Sequence, residues 1–121
     1  MSTITFDDFK KIEIRAGKIL SAEKIPDTDK LLKLSVDFAE TETAVDGTTK
    51  PKPRQIVSGI SAYFPDPTIL VGKTCMFVAN LEPRTIRGHE SNGMLFAVSD
   101  TAGNFSLLEP NAGIAPGTLA K

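Results

Sequence analysis

The sequence has no tryptophan, a single tyrosine, a single cysteine and a single histidine. One histidine and one cysteine cannot supply the usual ligand set of a zinc site within one chain, and no metal or cofactor is expected. The lone Cys75 forbids an internal disulfide and fits a cytoplasmic protein. It alternates with Phe77 inside an apolar run, which reads as a buried, inert core thiol. No stretch is long and apolar enough for a transmembrane helix, and the start Met1-Ser2-Thr3-Ile4-Thr5 lacks the basic and apolar regions of a signal peptide. An excess of basic charge is missing too: 14 Lys and Arg stand against 15 Asp and Glu, a formal net charge of -1. That excludes a protein that coats nucleic acid through charge alone. Any nucleic-acid surface must be a local patch drawn from Lys10 to Arg87, a region holding every basic residue except Lys121.

What is present fits one domain over residues 1–121, with hydrophobic residues at 40% and charged residues at 24%, ordinary globular values. Thr5-Phe6-Asp7-Asp8 resembles a capping box and predicts a short N-terminal helix, with Phe6 and Phe9 plugging one end of the core. Ile12 to Ile25 reads as one long strand whose apolar phase slips between Ala16 and Ile19, so a bulge is expected at Gly17. Pro26-Asp27-Thr28-Asp29 supplies a turn, and Leu32, Leu34, Val36 and Phe38 alternate with polar residues as a half-buried strand does. Glu40 to Pro53 is expected to be a long hairpin loop, mobile near its tip. Arg54 to Ile60 is a third strand, Ala62 to Val71 an irregular or helical crossover, Cys75 to Ala79 a fourth strand and Met94 to Val98 a fifth. Pro110 and Pro116-Gly117 make the C-terminal tail irregular. The pattern predicts an all-β chain: five strands, the first long and bulged, with a crossover between the third and fourth. That describes a small Greek-key barrel, of which the OB-fold is the commonest, although periodicity alone leaves an SH3-like barrel open.

Between the last two strands lies a polar stretch, Asn80 to Gly93, with Pro83, Arg84, Arg87, Gly88, His89, Ser91 and Asn92. It is read as an irregular connection clamped by strands, a common place for function in a small β-domain. Arginines, amides and hydroxyls suit phosphate and base contacts better than bond breaking. Composition alone leaves a solvated loop equally open. Catalytic patterns fail on inspection. Gly72-Lys73-Thr74 imitates the end of a P-loop, but Pro67 stands where the motif needs glycine. His89 stands where a nucleophile elbow around Ser91 needs glycine, and no carboxylate pair has acid/base spacing. The chain is not expected to be an enzyme.

Several ordered blocks resemble the tRNA-binding domain family, the OB-fold module at the C-terminus of many methionyl-tRNA synthetases and in free-standing tRNA-binding proteins. They are Phe9 to Gly17, Ala22-Glu23, Asp29 to Leu34, Val36-Asp37, Arg54 to Ile60 and Leu70 to Lys73. The run from Ala79 to Leu95 closes the match, with Pro83-Arg84, Ile86-Arg87-Gly88 and Gly93-Met94-Leu95 inside it. Three features depart from the family. Thr85 replaces a common lysine, Glu82 stands where lysine or a neutral residue is frequent, and the insert from Glu40 to Pro53 is long. A secretion-chaperone-like branch shares the fold, but Asp29-Lys30-Leu31-Leu32 sides with the synthetase-like branch.

The resemblance implies structure-specific, sequence-neutral tRNA binding at the outer corner of the L. Lys30, Lys33, Arg54, Arg84 and Arg87 are then expected at phosphates, with Asn80 and Ser91 donating to phosphate, 2′-OH or base edges. Met94 is a candidate for the groove floor, with strand-five core as the competing reading. Arg15 is expected to pair with Glu13 or Glu23 instead of RNA. Relatives commonly dimerise through the N-terminal helix and C-terminal tail, so a homodimer is expected, and an aminoacyl-tRNA synthetase is a candidate partner. A free-standing protein and an excised synthetase domain both fit, with Met1 favouring the former. The alternative is a polypeptide-binding, chaperone-like module, which an exposed apolar patch in place of a basic groove would favour. A sequence-neutral single-strand binder ranks below both, because only Phe38, Tyr63 and Phe64 offer stacking platforms near the second and third strands.

Overall fold

A computed structural model describes residues 2–121. Thr5 caps the first element as expected: its Oγ1 accepts the Asp8 N–H at 3.1 Å, and α1 runs Phe6–Lys10. The two phenylalanines do not plug the core. Phe6 is 72% exposed and Phe9 43%, and their rings lie against each other with centroids 6.3 Å apart. One turn of helix, held by its cap, is too short to carry side chains into the barrel interior.

β1 spans Ile14–Lys24 and pairs antiparallel with both β2 (Leu32–Asp37) and β6 (Thr74–Val78). Its bulge exists but lies three residues beyond the expected place, where the register slips between Ile19 and Ser21. Gly17 answers a different need. A Cβ there would stand 2.6 Å from Val36 Cγ1 and 2.7 Å from Phe38 Cε1, so the missing side chain lets β1 close onto the core. β2 follows its alternation: Leu32, Leu34 and Val36 are fully buried, while Lys33, Ser35 and Asp37 face outward.

β5 (Arg54–Ser58) pairs with β2, and β9 (Met94–Leu95) with β6, giving one sheet in the order β5-β2-β1-β6-β9. β1, β2 and β5 form a meander and β6 returns beside β1, which is Greek-key connectivity. The crossover is two 3-10 turns, Ser61–Tyr63 and Pro67–Leu70. The sheet nearly closes on itself because the segment just before β9 is stitched to β5: the Val57 N–H donates to Ser91 Oγ at 2.9 Å and the Asn92 N–H to the Gln55 carbonyl at 2.8 Å. Ile19, Leu32, Leu34, Ile56, Leu70 and Phe77 fill the interior with no exposure.

Three segments differ from their sequence reading. The 40–53 insert is a paired hairpin, β3 (Thr41–Thr43) against β4 (Thr49–Pro51), turning at Asp46-Gly47. The 80–93 connection also contains a hairpin, β7 (Arg84–Ile86) against β8 (His89–Ser91). The fifth strand is split at Phe96: β9 ends at Leu95, and β10 (Ala97–Ser99) pairs instead with β11 (Phe105–Leu107). Leu108 then accepts the Met76 N–H at 2.9 Å, taking over the β6 edge that a longer fifth strand would have used. The tail is mostly irregular, but Leu119 bridges Arg15 and the Ala16 N–H donates to the Thr118 carbonyl at 2.9 Å. Arg15 itself pairs with Glu13 at 2.8 Å and donates to the Gly117 carbonyl at 2.9 Å, within the fold as expected. Among the described residues no helix is long and apolar enough to cross a membrane.

Candidate nucleic-acid interface

The β7–β8 hairpin turns through Arg87 and Gly88, whose φ values of 52° and 81° are both left-handed. Positive φ at both central residues makes the two-residue turn whose twist matches paired strands. Glycine adopts it freely; arginine does so at roughly 1–2 kcal/mol, which the docked hairpin offsets. Ser91, at the end of β8, is buried and holds the hairpin to β5, accepting from the Val57 N–H while donating to the Gly93 carbonyl at 3.2 Å. Gln55 adds a bond from its Nε2 to the Glu90 carbonyl at 3.0 Å.

Anchored there, the hairpin tip reaches the β1–β2 turn. Arg87 and residues Asp27 to Leu31 line one open cleft of about 400 Å³. The structure thus brings Lys30 and Arg87 together from loops far apart in sequence. Both are exposed, and neither has a salt-bridge partner among the described residues. Asp27 and Asp29, which the sequence marks as turn residues and, for Asp29, as part of a family block but not as site residues, share the cleft, so its formal charges balance. Their place was legible in principle, since a turn joining two barrel strands lies on the rim.

From this rim the outer face of β2 and β5 continues as two further open clefts. One, of about 320 Å³, includes Glu23, Lys33, Ser35, Arg54 and Gln55. The other, of about 570 Å³, includes Glu40, Lys52, Arg54, Leu81, Glu90 and Asn92. Lys33 leans toward Glu23 at 3.9 Å, a loose and largely solvated contact. Arg54 is engaged differently. Its guanidinium forks onto Glu40 at 2.7 and 2.8 Å, donates to the Ala79 carbonyl and to the Asn92 carbonyl at 3.4 Å, and lies 5.2 Å from the Phe38 ring centroid. The fork from Arg54 holds the Glu40 carboxyl below its usual range, and the same pair raises the arginine further.

Asn80 is also occupied within the fold. Its Oδ1 accepts the Glu13 N–H at 2.8 Å and its Nδ2 donates to the Lys11 carbonyl, tying the entry of β1 to the exit of β6. Met94 is not core: it is 47% exposed on the outer side of β9. Arg84, opposite Ser91 at the base of the hairpin, is exposed and has no carboxylate partner among the described residues. Of the eight positions expected from sequence, Lys30, Lys33, Arg84, Arg87 and Met94 are at least partly exposed and make no side-chain hydrogen bond among the described residues. Arg54, Asn80 and Ser91 hold segments together. Lys52 joins the set beside Arg54; its flanking prolines concealed it in a segment read as loop.

Set against known proteins, residues 14–119 match the family model of a tRNA binding domain. The methionine–tRNA ligase of Methanoregula boonei is 48% identical over 115 residues, covering 95% of this chain and 15% of that ligase. The chain spans about a seventh of the length of the curated relatives it matches. Among solved structures, a MetRS related protein from Pyrococcus horikoshii superposes with a TM-score of 0.83 at 34% identity, covering 100% of both chains. The chaperone CsaA from Bacillus anthracis superposes with a TM-score of 0.77 at 25% identity, covering 99% of this chain and 100% of its own.

Proposed function

Because the chain belongs to the tRNA binding domain family, we propose that it is a non-catalytic module that binds tRNA by shape through the rim and outer face of its barrel. One observation carries the reading: Lys30 and Arg87, two exposed cations without a salt-bridge partner among the described residues, converge on one cleft beside a strand face. Small barrels of this kind take nucleic acid at such a place. Arg84 extends the cationic line down the hairpin and Lys33 along β2. With a net charge of -1 the surface holds RNA by a few placed contacts and not by bulk attraction.

The test is tRNA affinity measured against salt. Arg87→Ala and Arg84→Ala each weaken binding, Arg87 more. Each flattens the log–log salt dependence by about 0.7–0.9, one phosphate contact, without lowering the unfolding midpoint. Unrelated tRNAs bind within about tenfold of one another, since shape and not base edges is read. Discrimination beyond that, or an unchanged salt slope in both variants, overturns the assignment.

The same reading includes a homodimer. Phe6, Phe9, Ile12, Ile14 and Leu119 line an apolar groove of about 340 Å³, and Ile4 beside them is exposed. A helix of one turn that buries none of its residues leaves this groove uncovered in a monomer, whereas a second copy covers it and doubles the RNA patch. Sedimentation showing only monomer at micromolar concentration, with full tRNA affinity, refutes this. The similarity to CsaA together with this apolar groove favours polypeptide binding as the second reading. An unfolded polypeptide that competes with tRNA, or binds at the groove of the isolated protein, would replace the first. Location in the cytoplasm and partnership with an aminoacyl-tRNA synthetase accord with the relatives and are part of the same proposal.

A further inference from the structure

Tyr63 ends the 3-10 turn that follows β5. One face of its ring is covered by Phe105 from β11, with centroids 4.0 Å apart and planes 9° from parallel. Phe64 meets Phe105 edge-on at 5.8 Å and 77°, and both of those rings pack against the core. Tyr63 is therefore the outermost member of an aromatic stack rooted in the interior, yet it remains 47% exposed. With Phe105 on one face, that exposure falls on the opposite face and the hydroxyl edge. A flat ring supported from behind loses little freedom on meeting another, which is what a base-stacking platform requires.

Its place in the fold matters as much. The last pairing of β5 sets Ser58 against Leu32, at the start of β2, so the turn emerges beside the β1–β2 loop. The Ser61 N–H then donates to the Lys30 carbonyl at 3.0 Å. Tyr63 follows two residues later in the turn that this bond holds to the loop carrying Lys30. Three loops converge on this end of the barrel: the β1–β2 turn, the 3-10 turn and the β7–β8 tip. In the cleft Asp27 and Asp29 balance the formal charge of the two cations, so an uncharged contact beside them would add affinity to the placed phosphate contacts.

Building on the tRNA-binding reading above, we propose that Tyr63 is the stacking platform for one unpaired nucleobase of the bound RNA, with its neighbouring phosphate on Lys30 and Arg87. The contact is sequence-tolerant, because every base has a π face, and so agrees with recognition by shape.

Tyr63 is the only tyrosine and there is no tryptophan, so the intrinsic emission of the protein reports on this ring alone. Titrating the full chain with tRNA, and correcting absorption with free tyrosine at the same RNA concentration, gives quenching that saturates in step with a gel shift. Tyr63→Phe binds within about twofold of wild type. Tyr63→Leu keeps apolar cover over Phe105 but has no π face, and its affinity falls about fivefold to a hundredfold. The salt slope of Tyr63→Leu stays at the wild-type value, unlike that of Arg87→Ala, because no counterion is involved. Binding without quenching, or a Leu variant that binds like wild type, overturns the platform and leaves the tRNA reading standing. A wild-type protein that shifts no tRNA overturns both.

Discussion

Arg54 separates two roles that the sequence could not. Replacing it with alanine removes the fork to Glu40, the donors to the Ala79 and Asn92 carbonyls and the cation over Phe38. The ion pair is part exposed, 26% for the arginine side chain and 40% for the glutamate, so screening limits it to about 0–1 kcal/mol. The Ala79 carbonyl is in a buried residue and would be left without a partner, at about 1–3 kcal/mol. Loss of the ring contact adds about 0.5–1 kcal/mol. These sum to about 1.5–5 kcal/mol, enough to lower the melting temperature of a domain this size by roughly 10 °C. Arg54→Lys keeps the charge but not the planar fork and falls between. The pair also carries a pH signature. The folded Glu40 pKa is depressed, so its stabilisation is complete above about pH 4.5 and is lost as the pH falls below that through the depressed value. Glu40→Gln therefore weakens the acid dependence of stability in that window. Urea melts from pH 3 to 7, with tRNA titrations at two salt concentrations, decide the matter. An Arg54→Ala protein within about 0.5 kcal/mol of wild type that binds tRNA with a flatter salt slope would make Arg54 an RNA contact and refute the clamp.

Gly17→Ala places a methyl against Val36, Phe38 and Phe77, all buried, and is expected to destabilise by about 1–3 kcal/mol in urea denaturation; a neutral result would mean β1 can move away from the core. Asn80→Ala removes both hydrogen bonds that tie residues 11–13 to the end of β6, at about 1–2 kcal/mol; loss of tRNA affinity at an unchanged midpoint would instead return Asn80 to the RNA contacts. Burial, then the charge of Glu109, pushes the Cys75 thiol up to about 11, so a thiol reagent at pH 8 leaves the native protein unmodified and reacts on unfolding; rapid modification of the native state refutes an inert core thiol.

The sequence by itself determined what has a short period. The alternation from Leu32 to Phe38 could fill only one side of a strand, and Thr5 before two aspartates could only begin a helix. The prolines between Ser61 and Val71 ruled out a further strand. The ordered blocks also carried the family, because their residue types recur at fixed separations along one chain. Tertiary structure decided which polar groups are available. Arg54, Asn80 and Ser91 have the composition of RNA contacts, yet each meets a backbone group 25 to 69 residues away and closes the barrel with it. Arg87 and Lys30 have no such partner among the described residues and share a cleft because Ser91, with Gln55 and Asn92, docks the hairpin on β5. The bulge after Ile19, the exposed Met94 and the aromatic stack beneath Tyr63 were hidden for the same reason. A residue's type fixes what it can bond to, but whether that capacity is used inside the fold or left for a ligand depends on segments that only folding brings together.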